Sequence, residues 1–190
     1  APSQDATPEP EKKESATPSM DALPEDQQKA IRQALKNRVV WGSMHQIEDW
    51  LWLGSLFDAA HEKGLRKHGV RHIVNVAKDT PMYYEGCGWV DYVHVALEDT
   101  ENAPIGEHFQ MVTDQLEGFR QRAEPVLVHC RCGVSRSASF VIAYLIKYGR
   151  DGAQGMTLFD ALAHVRSARS MICPNQGFFK ALETWEITHR

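Results

Sequence analysis

From Trp41 onward the apolar residues switch repeatedly between two spacings. HIVNVA at 72–77 is a β-branched run, VDYVHVAL at 90–97 alternates with period two, and PVLVH at 125–129 is short and continuously apolar. Each is predicted as a strand. IEDWLWLGS contains a short apolar run ending at Gly54, which fits a further strand that breaks at a turn. Between these runs the spacing becomes helical. Leu56, Ala59, Ala60 and Leu65 predict a helix stopping near Gly69, and Ile105, Phe109, Val112, Leu116 and Phe119 predict another. A helix is predicted from about Arg136 through Tyr148. The next opens at Thr157, where Asp160 three residues on resembles a capping box. The last, QGFFKALETWEITH, presents Phe178, Phe179, Leu182 and Trp185. Strands alternating with helices predict an α/β fold, a central and mostly parallel sheet flanked by helices.

The first 25 residues break the pattern. They hold five of the nine prolines among Ser, Thr, Glu and Lys, with almost nothing apolar. Such a segment cannot bury enough surface to offset its ordering entropy, so residues 1–25 are predicted to be a disordered tail. A helix follows at 26–37, with Ile31 and Leu35 as a thin apolar stripe and a lead-in to residue 40. Residues 41–190 are then one domain, which suits a chain of this length.

Composition narrows the function classes. The 190 residues are 43% hydrophobic and 24% charged, with a net charge of −4, which argues against a nucleic-acid partner. The longest apolar run, FVIAYLI at 140–146, is too short to cross a bilayer, and no apolar secretory core is visible. Cys87, Cys130, Cys132 and Cys173 are too sparse for a stapled secreted fold and read as thiols in a reducing compartment. The expected localisation is cytoplasmic, with the nucleus as a second compartment.

The chemistry concentrates in VLVHCRCGVSRSASFVIAYL at 126–145, where His129, Cys130, Arg131, Cys132, Ser135, Arg136, Ser137 and Ser139 fall between two apolar ends. If a strand ends at His129 and a helix starts near Arg136, the loop between them lies at a helix N-terminus at the end of a sheet. Its converging backbone N–H groups make an anion cradle, and Gly133 supplies the freedom such a curve needs. Donors that hold an anion also favour a thiolate, so Cys130 is a candidate nucleophile. Arg136 carries a planar fork suited to two phosphoryl oxygens, and Ser137 offers a hydroxyl to the sulfur. Thiolate plus cradle is the chemistry of phosphoryl transfer through a phosphocysteine. A buried structural thiol is the plain alternative. A metal site of His129, Cys130 and Cys132 lacks a second matched half, so no metal or cofactor is expected.

His129-Cys130-x-x-Gly133-x-x-Arg136-Ser137 matches the HCxxGxxR[ST] signature of the cysteine-based protein tyrosine phosphatases. The run GVSRSAS resembles their dual-specificity, mitogen-activated-kinase-phosphatase-like branch. WLWLGSLFDA, HIVNVA, ALEDT and VRSARSMICPNQGFF resemble further segments of that family, in its order, over roughly residues 40 to 186. The resemblance implies a protein-tyrosine-phosphatase-like fold and a catalytic domain at 41–190. Cys130 becomes the nucleophile, Arg136 the phosphate clamp, His129 an orienting residue and Ser137 an aid to sulfur departure. Asp99, 31 residues before Cys130, becomes the general acid in preference to Glu98. Arg131, Cys132, Gly133, Val134, Ser135 and Arg136 become the phosphate-binding loop, and Pro174 and Asn175 its braces.

The implied function is hydrolysis of phosphotyrosine and phosphoserine or phosphothreonine in proteins, with mitogen-activated kinases as a candidate substrate class. The alternatives are a phosphoinositide or phosphoglucan phosphatase, for which Arg131 adds charge, and a phosphoprotein-binding pseudophosphatase. Cys132 departs from the family, whose loops carry a small residue there. It raises a redox reading in which Cys132 or Cys87 traps oxidised Cys130. The segment KDTPMYYEGCGWV at 78–90 is a candidate determinant of substrate choice through Tyr83, Tyr84 and Trp89.

Overall fold

The computed structural model describes residues 22–41 and 43–189. Of the predicted tail, residues 1–21 lie outside the described residues, and Glu25 already opens the first helix. The elements follow in the order α1 (Glu25–Trp41), β1 (His45–Glu48), β2 (Leu51–Gly54), α2 (Leu56–Ala59), α3 (Glu62–Lys67), β3 (His72–Asn75) and β4 (Asp91–His94). Then come α4 (Gly106–Gln121), β5 (Val126–His129), α5 (Arg136–Tyr148), α6 (Leu158–Ala168) and α7 (Gln176–His189).

The sheet runs β1-β2-β5-β3-β4, parallel except for the edge strand β1. Side chains alternate across it as the pleat requires. Leu51, Leu53, Val74, Val126 and Val128 face one core, which α4 to α7 close; Trp52, Ile73 and Leu127 face the other, which α1 to α3 close. Helix α5 lies at the centre of the first core, buried from Arg136 through Ile146. The α1 stripe centres on Ile31 and Ala34 rather than on Ile31 and Leu35, with Leu35 only half buried, and it seals the second core.

The strand predicted to end at Gly54 forms as β2 and is the second arm of a hairpin with β1: the chain turns at Asp49 and Trp50, whose carbonyl accepts from Val126 N–H. SLFDAAHEKGLRKHG is two helices, because non-helical His61 interrupts it and frees the Ala60 carbonyl for the Tyr84 hydroxyl at 2.5 Å. The strands predicted at 72–77 and 90–97 stop at Asn75 and His94, and the chain beyond each turns into the site. The Thr157 cap forms as predicted, its hydroxyl accepting from Asp160 N–H at 3.1 Å.

Gly54, His129 and Asn75 are register neighbours at the carboxyl ends of β2, β5 and β3. This edge is where a parallel sheet gathers side chains from several loops.

Candidate active site

The 130–135 loop is shaped from outside. Its six consecutive carbonyls all point into the protein body. The Cys130 carbonyl accepts from His129 Nδ1–H at 3.2 Å and that of Arg131 from Leu56 N–H at 3.1 Å. Arg169 takes the next two, Nη2 donating to the Cys132 carbonyl at 3.0 Å and Nε to that of Gly133 at 2.8 Å. The Val134 carbonyl accepts from Cys173 N–H at 2.8 Å, and that of Ser135 from Ser139 N–H and hydroxyl. A peptide unit that turns its carbonyl out turns its N–H in. The N–H groups of Arg131, Cys132, Val134 and Ser135 donate to no backbone acceptor among the described residues. That leaves an inward ring of donors at the start of α5, a cradle for an oxyanion.

Close packing fixes the loop. Gly133 has φ +68°, and a Cβ there would lie 2.4 Å from the Gly54 carbonyl oxygen, so no other residue fits. Ser55 and buried Asp58 hold the opposite wall: Asp58 Oδ2 accepts from Ser55 N–H at 2.8 Å and its hydroxyl at 2.9 Å, which opens α2 and aims Leu56 N–H at the loop.

Cys130 sits at the bottom, 1% exposed. Its sulfur accepts from Gly133 N–H at 3.3 Å and Ser137 hydroxyl at 3.2 Å. His129 is fully buried, and burial pushes its pKa down to about 4, so the imidazole is neutral at pH 7. Because a carbonyl can only accept, its proton must be on Nδ1.

Acids from two loops meet Arg136 over the cradle. Buried Asn75 shapes the first: Oδ1 accepts from Ala77 N–H and the Thr80 hydroxyl, and Nδ2 donates to the Thr80 carbonyl. The turn it holds carries Asp79, whose carboxylate accepts from Arg136 Nη1 at 2.8 Å and Arg131 Nη1 at 3.0 Å. Burial opposes the Asp79 charge, but these two guanidinium bonds outweigh it and hold the carboxyl below its ordinary range. Burial likewise opposes the Arg136 charge, and Asp79, Cys130 and Asp99 more than offset it.

The second loop brings Asp99. Its Oδ1 accepts from the Ser135 hydroxyl at 2.8 Å and Asn175 Nδ2 at 3.0 Å, and Oδ2 is 3.5 Å from Arg136 Nε. Neighbouring Glu98 instead pairs with Lys78 at the surface. These groups line a cavity of about 600 Å³.

Residues 51–188 match the profile of the dual specificity phosphatase catalytic domain. The chain belongs to this family. It is 35% identical over 150 residues to the protein phosphatase Slingshot of Drosophila melanogaster, spanning 77% of this chain and 14% of that protein. It is 35% identical over 147 residues to dual specificity protein phosphatase 14 of Homo sapiens, spanning 76% of this chain and 70% of that one. Among solved structures, human DUSP28 superposes with a TM-score of 0.69 at 28% identity, over 76% of this chain and 93% of its own. The human tyrosine phosphatase-like serine/threonine/tyrosine-interacting protein gives 0.68 at 31%, over 77% and 97%.

In this dual specificity phosphatase domain the predicted site residues assemble as one cluster: Cys130, Arg136, Ser137, His129, Asp99 and the 131–136 loop. Asn175 braces both the loop and Asp99, its N–H donating to the Ser135 hydroxyl at 3.2 Å. Sequence reading missed two residues. Asp79 left no local signal; Arg169 was visible in the family-like run VRSARSMICPNQGFF, but spacing did not say that it grips the loop. Tyr83 and Tyr84 are 3% and 2% exposed, and Trp89 stacks under Arg66 at 4.1 Å. Cys87 packs in that same second core, whose charged neighbours are Glu62 and Arg66. Cys132 lines the cavity, and burial followed by the charge of Cys130 pushes its thiol pKa up.

Proposed function

We propose that this domain hydrolyses phosphomonoesters of proteins through a phosphocysteine. The supporting observation is the loop itself, with six carbonyls turned out and the Gly133 N–H donating to the Cys130 sulfur at 3.3 Å. The thiolate attacks phosphorus in line with the ester oxygen, and the P–O bond breaks as the S–P bond forms. Asp99 gives its proton to the departing oxygen, so the alcohol or phenol leaves neutral. The Asp99 carboxylate then takes a proton from water as that water attacks phosphorus, and the S–P electron pair returns to Cys130, which Ser137 hydroxyl stabilises. Arg136 holds the equatorial oxygens. Its Nη1 is committed to Asp79 and the Leu97 carbonyl, while Nε is buried without a hydrogen-bond partner among the described residues. That donor serves the incoming oxyanion.

Protein substrates are favoured over inositol lipids because Arg131, the extra charge beside the nucleophile, is paired with Asp79. Mitogen-activated kinases enter the substrate panel by family resemblance. The domain reading places catalysis in residues 41–190, behind a tail at 1–25. The test is turnover of a small aryl phosphate, phosphotyrosine and phosphothreonine peptides, an inositol lipid and amylopectin. Wild type should turn over the aryl phosphate and the peptides, and Cys130→Ser nothing. Asp99→Ala should lose at least about 100-fold, most on poorly leaving alkyl esters. Wild-type binding without turnover would show a capture module instead, and turnover surviving in Cys130→Ser would remove the phosphocysteine.

A further inference from the structure

We propose that a second cavity beside the cradle receives a bulky apolar side chain flanking the phosphorylated residue of a protein substrate. The inference rests on the phosphatase reading above and narrows its substrate class. The cavity measures about 390 Å³ and shares Arg131 and Cys132 with the larger cavity lined by Asp79, Asp99 and Arg136. Those two residues form the wall between them. A peptide with its phosphate in the cradle therefore carries its neighbouring residues over that wall.

The remaining walls specify the occupant. Ala30 and Ala34, one turn apart on α1, leave room on the helix side; Phe57, Pro81 and Tyr83 supply apolar surface opposite. Arg131 is the one charged residue among the described residues lining the cavity, and its Nη1 is held by Asp79 at 3.0 Å, on the cradle side. A second phosphate or an acidic flanking residue finds no unpaired cation here among the described residues. An aromatic or large aliphatic side chain finds a surface that matches it.

Helix α1 lies outside the family-matched residues 51–188, so the open wall is contributed by a segment that the family match does not cover. Ile31 and Ala34, 0% and 4% exposed, fasten that helix to the domain. The cavity is thus bounded by fixed structure on both sides.

The test uses phosphotyrosine peptides that differ only in the flanking residue, which is Phe, Leu, Ala, Asp or phosphothreonine, with a small aryl phosphate as control. Wild-type kcat/KM should be roughly tenfold higher with Phe or Leu than with Ala, and lower again with Asp or phosphothreonine. Ala30→Phe and Ala34→Phe each fill the cavity. Each should erase the preference while aryl phosphate turnover stays at the wild-type value; the thermal midpoint should hold in Ala30→Phe and fall in Ala34→Phe, because Ala34 is packed in the core. If Ala34→Phe does not fold, Ala30→Phe and the wild-type series decide the matter. A flat wild-type series, a preference for phosphothreonine, or a preference that survives both substitutions overturns the inference while leaving the phosphatase reading intact. Failure to turn over any peptide or the aryl phosphate overturns both.

Discussion

Arg136 and Arg169 lie on opposite faces of the 130–135 loop, 4% and 0% exposed, and they answer different kinds of partner. Arg136, on the cradle side, meets carboxylates: Asp79 at 2.8 Å and Asp99 at 3.5 Å. Arg169, on the body side, spends its hydrogen bonds on neutral acceptors, namely the carbonyls of Gly133, Cys132 and Ser43 and the Nδ1 of His45 at 2.8 Å. A buried cation is normally expensive without a bonded counter-ion. Here the carbonyl dipoles of the loop take that place. Pulling those carbonyls toward Arg169 exposes the N–H face to the cradle, so one arginine shapes the site that the other completes.

The largest expected effect separates charge from geometry on the cradle side. Arg136→Lys keeps the cation but loses the fork, and kcat/KM should fall roughly 1000-fold, about 4 kcal/mol, with little change in unfolding midpoint. Arg169→Met should behave in the opposite order. Three carbonyls lose their donor at once, so stability should fall by about 3 kcal/mol in urea unfolding, and phosphate binding should weaken because the loop relaxes. Equal stability of Arg169→Met and wild type would break the contrast between the two arginines.

The third prediction concerns the histidines that share the work of Arg169. His45 accepts from Arg169 and must be neutral to do so, and His129, which donates to the Cys130 carbonyl, is kept neutral by its burial. Burial depresses both, His129 to about 4, and Arg169 adds to the depression at His45. Between about 4 and the unfolded value of 6.5 the unfolded chain binds more protons. The His129 contribution is therefore fully present above pH 6.5 and lost as pH falls toward 4, on the order of 3 kcal/mol in all. The thermal midpoint of wild type should drop across that window, and His129→Asn should flatten the drop. An unchanged slope would place the linkage on other groups.

The cradle face was readable from sequence because Cys130, Arg136 and Ser137 are local, set by one strand-to-helix transition. Asp99 needed the family resemblance, since its partners Ser135 and Asn175 lie 36 and 76 residues away. The body face was opaque for a related reason. Backbone donors such as Leu56 N–H and Cys173 N–H carry no side-chain signature, and their positions depend on how α2 and the α6–α7 connection pack. Tyr83 and Tyr84 show the same limit. Period and composition mark them as aromatic, but which side of the sheet edge covers them is a tertiary fact. The Asp49–Trp50 turn, with no Gly, Pro or Asn, hid the β1–β2 hairpin in one apolar run.

Asp79→Asn probes the part of the arginine contrast that sequence did not foreshadow. The carboxylate engages Arg136 and Arg131 together, so it competes with a phosphate dianion for the same positive charge. Asparagine keeps an oxygen acceptor and removes the competition. Inorganic phosphate should then inhibit at about threefold lower concentration. Stability should fall by only about 1 kcal/mol, because the Asp79 side chain is 41% exposed and water screens much of the pair. If phosphate binds more weakly in this variant, the carboxylate aims Arg136 more than it opposes the anion. Arg136 would then depend on a bonded partner for its placement just as the loop carbonyls depend on Arg169.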